Sequence, residues 1–180
     1  MNNDILKTLY SEQDIADACQ RLGAEIQAEY KDRVPVAIGV LRGAVFFMAD
    51  VLRNADTYME TDFIDVSSYH GGLASSGTID LVTDISTDIS GREVLLIEDI
   101  VDTGRTLKYL IDLLKQRGAS DVKVCTLLDK PSGRVVEATS DFVGFVVPNE
   151  FVVGYGLDYK EQYRNLPYVG VLKPEIYSTN

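Results

Sequence analysis

The sequence predicts an α/β fold, a mostly parallel twisted sheet flanked by helices. Three observations carry this. Short apolar runs of strand length alternate with stretches of helical period, the pattern of βαβ units with helices on both faces. Of 180 residues, 46% are hydrophobic and 25% charged, ordinary proportions for a globular protein. The length suits a single domain spanning 1–180, since domains run to roughly 100–200 residues, and no linker, repeat or low-complexity tract interrupts it.

The elements follow in order. Ser11 with Asp14 three residues on marks a helix start. Ile15, Ala18, Cys19, Leu22, Ile26 and Tyr30 then fall on one helical face. Pro35 leads into a buried strand over 36–41, Gly43 breaks it, and 44–53 has helical character. A second strand is expected at about 61–68. Residues 70–77, rich in glycine and serine, read as a loop, and a strand pattern resumes over 78–83. A third buried strand is expected at 93–97, with a turn over 99–104. Leu107, Leu110, Ile111 and Leu114 form a helical face that Gly118 stops. Residues 122–128 read as a strand, and 142–147, 151–155 and 168–172 as further short ones.

Charge excludes several functions. The formal net charge is −11, which opposes the sequence-independent phosphate contacts of a nucleic-acid binder and docking on anionic lipid. A phosphorylated substrate would have to be held by local groups or a metal. Two cysteines, Cys19 and Cys125, are too few for a disulfide framework, and both lie in apolar patterns that suit buried packing. With His70 the only histidine, a zinc site of the usual kind is excluded. The start lacks the basic and apolar regions of a signal peptide. No apolar run approaches the ~20 residues of a membrane span. A cytoplasmic location is expected.

The stretch Val94-Leu95-Leu96-Ile97-Glu98-Asp99-Ile100-Val101-Asp102-Thr103-Gly104-Arg105-Thr106 carries chemistry. It reads strand, acidic pair, short loop, helix. In open α/β sheets ligands bind at the carboxyl ends of strands. A helix beginning near Gly104 offers free backbone N–H groups and a positive dipole end. Residues 102–106 therefore form a candidate phosphate cradle, in which Gly104 allows close approach and Thr103 and Thr106 add hydroxyl donors. It is not a Walker loop, because GxxxxGK[ST] is absent. Glu98 and Asp99 are either metal partners, which would offset their repulsion and desolvation, or solvated loop acids.

This segment resembles the signature of the type I phosphoribosyltransferases, which bind 5-phosphoribosyl 1-pyrophosphate (PRPP). Leu41-Arg42-Gly43, Ser67-Ser68-Tyr69, Leu127-Leu128-Asp129-Lys130, residues 151–159 (FVVGYGLDY) and Tyr163-Arg164-Asn165-Leu166 occur in the order of the 6-oxopurine branch, the hypoxanthine-guanine phosphoribosyltransferases. The similarity runs from about Val36 to Leu172. It implies that family's fold, with a small hood built from the terminal segments and a lid at about 69–80. It implies Glu98 and Asp99 as partners of the ribose hydroxyls and of Mg²⁺, with Asp158 reaching a second Mg²⁺. Asp102 would be the general base or acid at the purine N7, and Asp102, Thr103, Gly104, Arg105 and Thr106 would hold the 5′-phosphate. Pyrophosphate would fall to Arg42, Gly43, Ser68, Tyr69 and Arg164, and the purine to Ile100, Lys130, Phe151, Val152 and Asp158. Lys130, a donor without an acceptor, would select a 6-oxo group.

Two positions depart from the usual pattern: Arg42 stands where the family often has Lys, and Glu150 where a Lys often precedes the FVVGY segment. The implied partners are PRPP and a 6-oxopurine base in a homodimer or homotetramer, with no nucleic acid and no membrane. Taken singly, Phe151 suits core packing, and Lys130 and Arg164 suit surface charge. His70 reads as an exposed lid residue. An RNA-binding regulator on the same fold would need a basic face that the charge argues against. A phosphoacceptor receiver domain is disfavoured by the Thr-Gly-Arg-Thr segment and the length.

Overall fold

The computed structural model describes residues 1–68 and 79–178. The expected lid lies outside these, except Ile79 and Asp80, which open a strand. His70 and Tyr69 lie outside them too.

The chain begins with β1 (Ile5–Tyr10) and α1 (Glu12–Glu29). The helix start is the expected capping box: the Asp14 N–H donates to Ser11 Oγ at 3.2 Å, and the Ser11 N–H donates to Asp14 Oδ2 at 2.8 Å. Then come β2 (Val36–Leu41), α2 (Val45–Arg53), β3 (Glu60–Ser68), β4 (Ile79–Thr83), β5 (Glu93–Val101), α3 (Arg105–Gln116) and β6 (Asp121–Asp129). The chain closes with β7 (Phe142–Val146), β8 (Val152–Val153), β9 (Val169–Leu172) and the single turn α4 (Pro174–Tyr177).

Six strands form the main sheet in the order β4-β3-β2-β5-β6-β7. All neighbours run parallel except β4, which is antiparallel to β3. The central strands are buried on both faces, which is why they read as continuous apolar runs. Their alternate residues sort to opposite sides. Val36, Ile38, Val94, Leu96, Val122 and Val124 pack with Leu107, Leu110 and Leu114 of α3. Ala37, Leu95, Ile97, Cys125 and Leu127 pack with Ile15, Leu22 and Ile26 of α1 and Phe47 and Val51 of α2. Both cysteines are free and buried, and burial raises both thiols, Cys19 to about 11. A second sheet, β1-β9-β8, joins the two ends of the chain antiparallel and forms the hood.

Two expectations need correction, and one strand was missed. The third strand does not stop at Ile97. It runs through Glu98 and Asp99 to Val101, because β6 continues alongside: Ile100 pairs with Leu128 and Val101 with Asp129. The strand expected over 151–155 is only Val152–Val153. Gly154, Tyr155 and Gly156 all have positive φ, so the chain turns there. Finally, β1 was not expected at all. Among the described residues no helix is long and apolar enough to cross a membrane.

Candidate active site

The carboxyl ends of β2, β3 and β5 open onto one cleft of about 650 Å³. It is lined by Arg42, Gly43, Glu98, Asp99, Ile100, Asp102, Thr103, Gly104, Thr106, Asp158 and Arg164 among the expected site residues. Ser67 of the Ser67-Ser68-Tyr69 segment lines it as well, with Asp65, Val66, Val82 and Glu161, which sequence reasoning did not single out.

At the floor, Glu98 is buried and Asp99 half-buried. The Asp99 N–H donates to Glu98 Oε1 at 3.0 Å, and the Ile100 N–H donates to Asp99 Oδ1 at 2.6 Å. Burial raises the Glu98 carboxyl well above its ordinary value, and the Asp99 charge adds to the effect. Burial also raises Asp99, with Arg164 pulling the other way. A bound cation would relieve both, so this carboxylate pair fits Mg²⁺. Among the described residues no three acidic, histidine or cysteine side chains converge on one point.

Above the acids, Gly104 takes φ +82 as the cap of α3, and the Arg105 N–H donates to Thr103 Oγ1 at 3.3 Å. Thr103, Gly104 and Thr106 face the cleft. Arg105 is exposed and outside its lining. Asp102 lies at the mouth, with Lys130 Nζ 3.6 Å from its Oδ2. Lys130 is 14% exposed and Asp102 47%.

The far wall comes from the hood side. Arg164 donates to the Gly156 carbonyl at 2.8 Å and pairs with Asp158 at 3.0 Å. Glu161 bridges Arg164, at 3.3 Å, and Arg42, at 2.9 Å. Its only sequence signal was an acid between Asp158 and Arg164. Backbone meets backbone here. A Cβ on Gly43 would fall 1.6 Å from Asp99 Oδ2, and one on Gly156 would fall 1.9 Å from the Gly43 carbonyl oxygen. The Tyr155 hydroxyl, next to Gly156, donates to Asp50 Oδ2 on α2 at 2.5 Å.

Phe151 and Val152 lie outside the cleft lining. Phe151 stacks on Tyr177 with centroids 4.8 Å apart and meets Tyr159 edge-on at 5.6 Å. Val152 is buried in β8, paired with Val171. The Ser68 side chain and Tyr69 are outside the described residues. Glu150 now has a partner: Lys7 Nζ on β1 donates to its Oε1 at 2.8 Å, so the reversed charge is used within the hood.

A family model, that of the phosphoribosyl transferase domain, matches residues 6–160. The chain belongs to the phosphoribosyltransferase family. It is 56% identical over 178 residues to the hypoxanthine-guanine phosphoribosyltransferase of Streptococcus pneumoniae, covering 99% of both chains. It is 59% identical to the bifunctional protein TilS/HprT of Listeria monocytogenes, of whose length it spans 28%. Among solved structures, a hypoxanthine phosphoribosyltransferase from Staphylococcus aureus superposes with a TM-score of 0.95 at 46% identity, over 99% of this chain and 97% of that one.

For this phosphoribosyltransferase the glycine contact gives a direct test. Gly156→Ala combines φ +101 with a backbone overlap, and should cost about 2–4 kcal/mol. Chemical denaturation measures it, and a loss below about 0.5 kcal/mol would show that the contact relaxes freely.

Proposed function

We propose that the protein transfers the 5-phosphoribosyl group from PRPP to hypoxanthine, guanine or both, giving IMP or GMP and pyrophosphate. The supporting observation is the Asp102–Lys130 pair beside the phosphate cradle. An acceptor and a donor 3.6 Å apart match the adjacent N7–H and O6 of a 6-oxopurine. Relatives named for this activity, at 55–57% identity over nearly the whole chain, agree with it.

N9 of the purine attacks C1′ of the ribose, the bond from C1′ to the pyrophosphate oxygen breaks, and Asp102 accepts the N7 proton. Lys130 donates to O6. A 6-amino purine offers no acceptor there and leaves the ammonium unpaired. The first-turn N–H groups of α3, with Thr103 and Thr106, hold the 5′-phosphate. Arg42, the Gly43 backbone and Arg164 hold the pyrophosphate, and Glu161 occupies both arginines until it arrives. Ile100 and Phe151 would flank the base, with the Val152 backbone at its edge. Mg²⁺ held through Glu98 and Asp99, with a second ion reached by Asp158, would neutralise charge on the leaving pyrophosphate. The chain is read as one domain, cytoplasmic, and a homodimer or homotetramer, with no nucleic-acid or membrane partner.

Pyrophosphate release from PRPP and Mg²⁺ with hypoxanthine, guanine, xanthine and adenine in turn tests the proposal. Release with hypoxanthine or guanine and not adenine is expected. Release with adenine alone, or with none of the four, overturns it.

A further inference from the structure

We propose that Arg134 is the positioning residue that sets the spacing of Asp102 and Lys130, and so the fit of the purine. The inference rests on the function proposed above and names a residue outside the motifs that suggested it.

The last rung of the β5–β6 ladder pairs Val101 with Asp129. Asp102 and Lys130 are the residues that immediately follow the two strands. The Lys130 N–H still donates to the Val101 carbonyl at 2.9 Å, but no further rung fixes the two side chains. The Arg134 guanidinium spans this rung. One of its amino groups donates to Asp129, forming an ion pair, and to the Val101 carbonyl at 3.4 Å. The other donates to the Ala138 carbonyl. Each of the first two acceptors immediately precedes a member of the purine-binding pair.

The same side chain also reaches the cradle. A Cβ on Gly104 would lie 2.9 Å from Arg134 Cδ, so the arginine stem covers the cap of α3. The Val135 and Val136 N–H groups donate to the Thr103 carbonyl at 3.0 and 3.3 Å, holding the segment in place. Arg134 is only 18% exposed, and its Nε is buried without a partner, a cost that a surface arginine would avoid. A planar fork can bind three acceptors in fixed directions, and a lysine ammonium cannot reproduce this.

Hypoxanthine needs both contacts at once, at one spacing. Unsubstituted purine has no 6-oxo group and can shift to satisfy Asp102 alone. Arg134→Lys should therefore raise the KM for hypoxanthine about tenfold, while the inhibition constant of unsubstituted purine and the KM for PRPP stay within about twofold. Asp129→Asn keeps the shape and removes the charge, and should give the same selective pattern at about threefold. This second variant serves if the first melts early. An unchanged KM for hypoxanthine, or an equal rise for all three ligands, overturns the proposal, since a merely structural role would not discriminate. If the unaltered protein releases no pyrophosphate with hypoxanthine, the functional reading itself fails. Activity in the unaltered protein with no selectivity in the variants fails Arg134 alone.

Discussion

Asp102→Asn should lower kcat by roughly 10²–10⁴-fold and leave the KM for PRPP within about threefold. The amide keeps the size of the side chain but cannot accept the N7 proton. The 5′-phosphate should be little affected, because its proposed donors are the backbone of the first turn of α3 and the hydroxyls of Thr103 and Thr106, residues that face the same cleft. The side chain is 47% exposed at the cleft mouth, so folding should survive the change. Lys130, only 14% exposed, loses its counter-charge, and some rise in the KM for hypoxanthine is expected with the loss in kcat. Steady-state kinetics with each substrate varied separates these effects. Turnover at the level of the unaltered protein would remove Asp102 from the role of base.

Glu98→Gln should make the ligand-free protein more stable and the enzyme much worse. Glu98 and Asp99 have folded-state pKa values raised above ordinary values of 4.5 and 3.8, chiefly by burial. A group raised on folding contributes stability that is complete below its unfolded pKa and is lost as pH rises through its folded one. At neutral pH the buried pair is therefore a liability in the ligand-free protein. Glutamine removes part of it, for a gain of about 1–2 kcal/mol, roughly 2–8 °C in melting temperature. The difference in melting temperature between variant and unaltered protein should widen from pH 5 to pH 8. The same change should remove the extra melting stability given by Mg²⁺ with PRPP. It should also lower kcat/KM by roughly 10²–10³-fold, the several kcal/mol that a metal contributes to charge stabilisation. A melting difference that shrinks with rising pH would contradict the raised values.

What the sequence could reveal depended on where each element finds its stabilising partner. The central strands carry their own signal, because burial on both faces demands continuous apolar runs. The Ser11–Asp14 cap is likewise local. β1 was missed because none of its residues is fully buried and its partner, β9, is at the other end of the chain. β8 was overextended because Val152 through Tyr155 look like a strand until the positive φ of Gly154 and Tyr155 is known.

The site divides the same way. The acids, the Thr-Gly-Arg-Thr segment and the helix after it were legible as chemistry. Lys130 and Arg164 read alone as surface charges, and only their order in the family pattern brought them in. Glu161 and Arg134 did not stand out, since what distinguishes them is set by the fold: Glu161 meets Arg42 from far along the chain, and Arg134 reaches the Val101 carbonyl on a neighbouring strand. Glu150 looked anomalous until Lys7 was found against it.

The contact of Gly43 with Gly156 has a consequence for exchanging parts between relatives. One glycine follows the first core strand and the other lies in the hood, yet the second leaves no room for a single carbon atom against the carbonyl of the first. The seam between the two layers therefore cannot be recut at that point. A chimera that takes its hood from a relative with a side chain at position 156 would have to rebuild the 41–43 loop as well, and the two segments behave as one inherited unit though more than a hundred residues separate them.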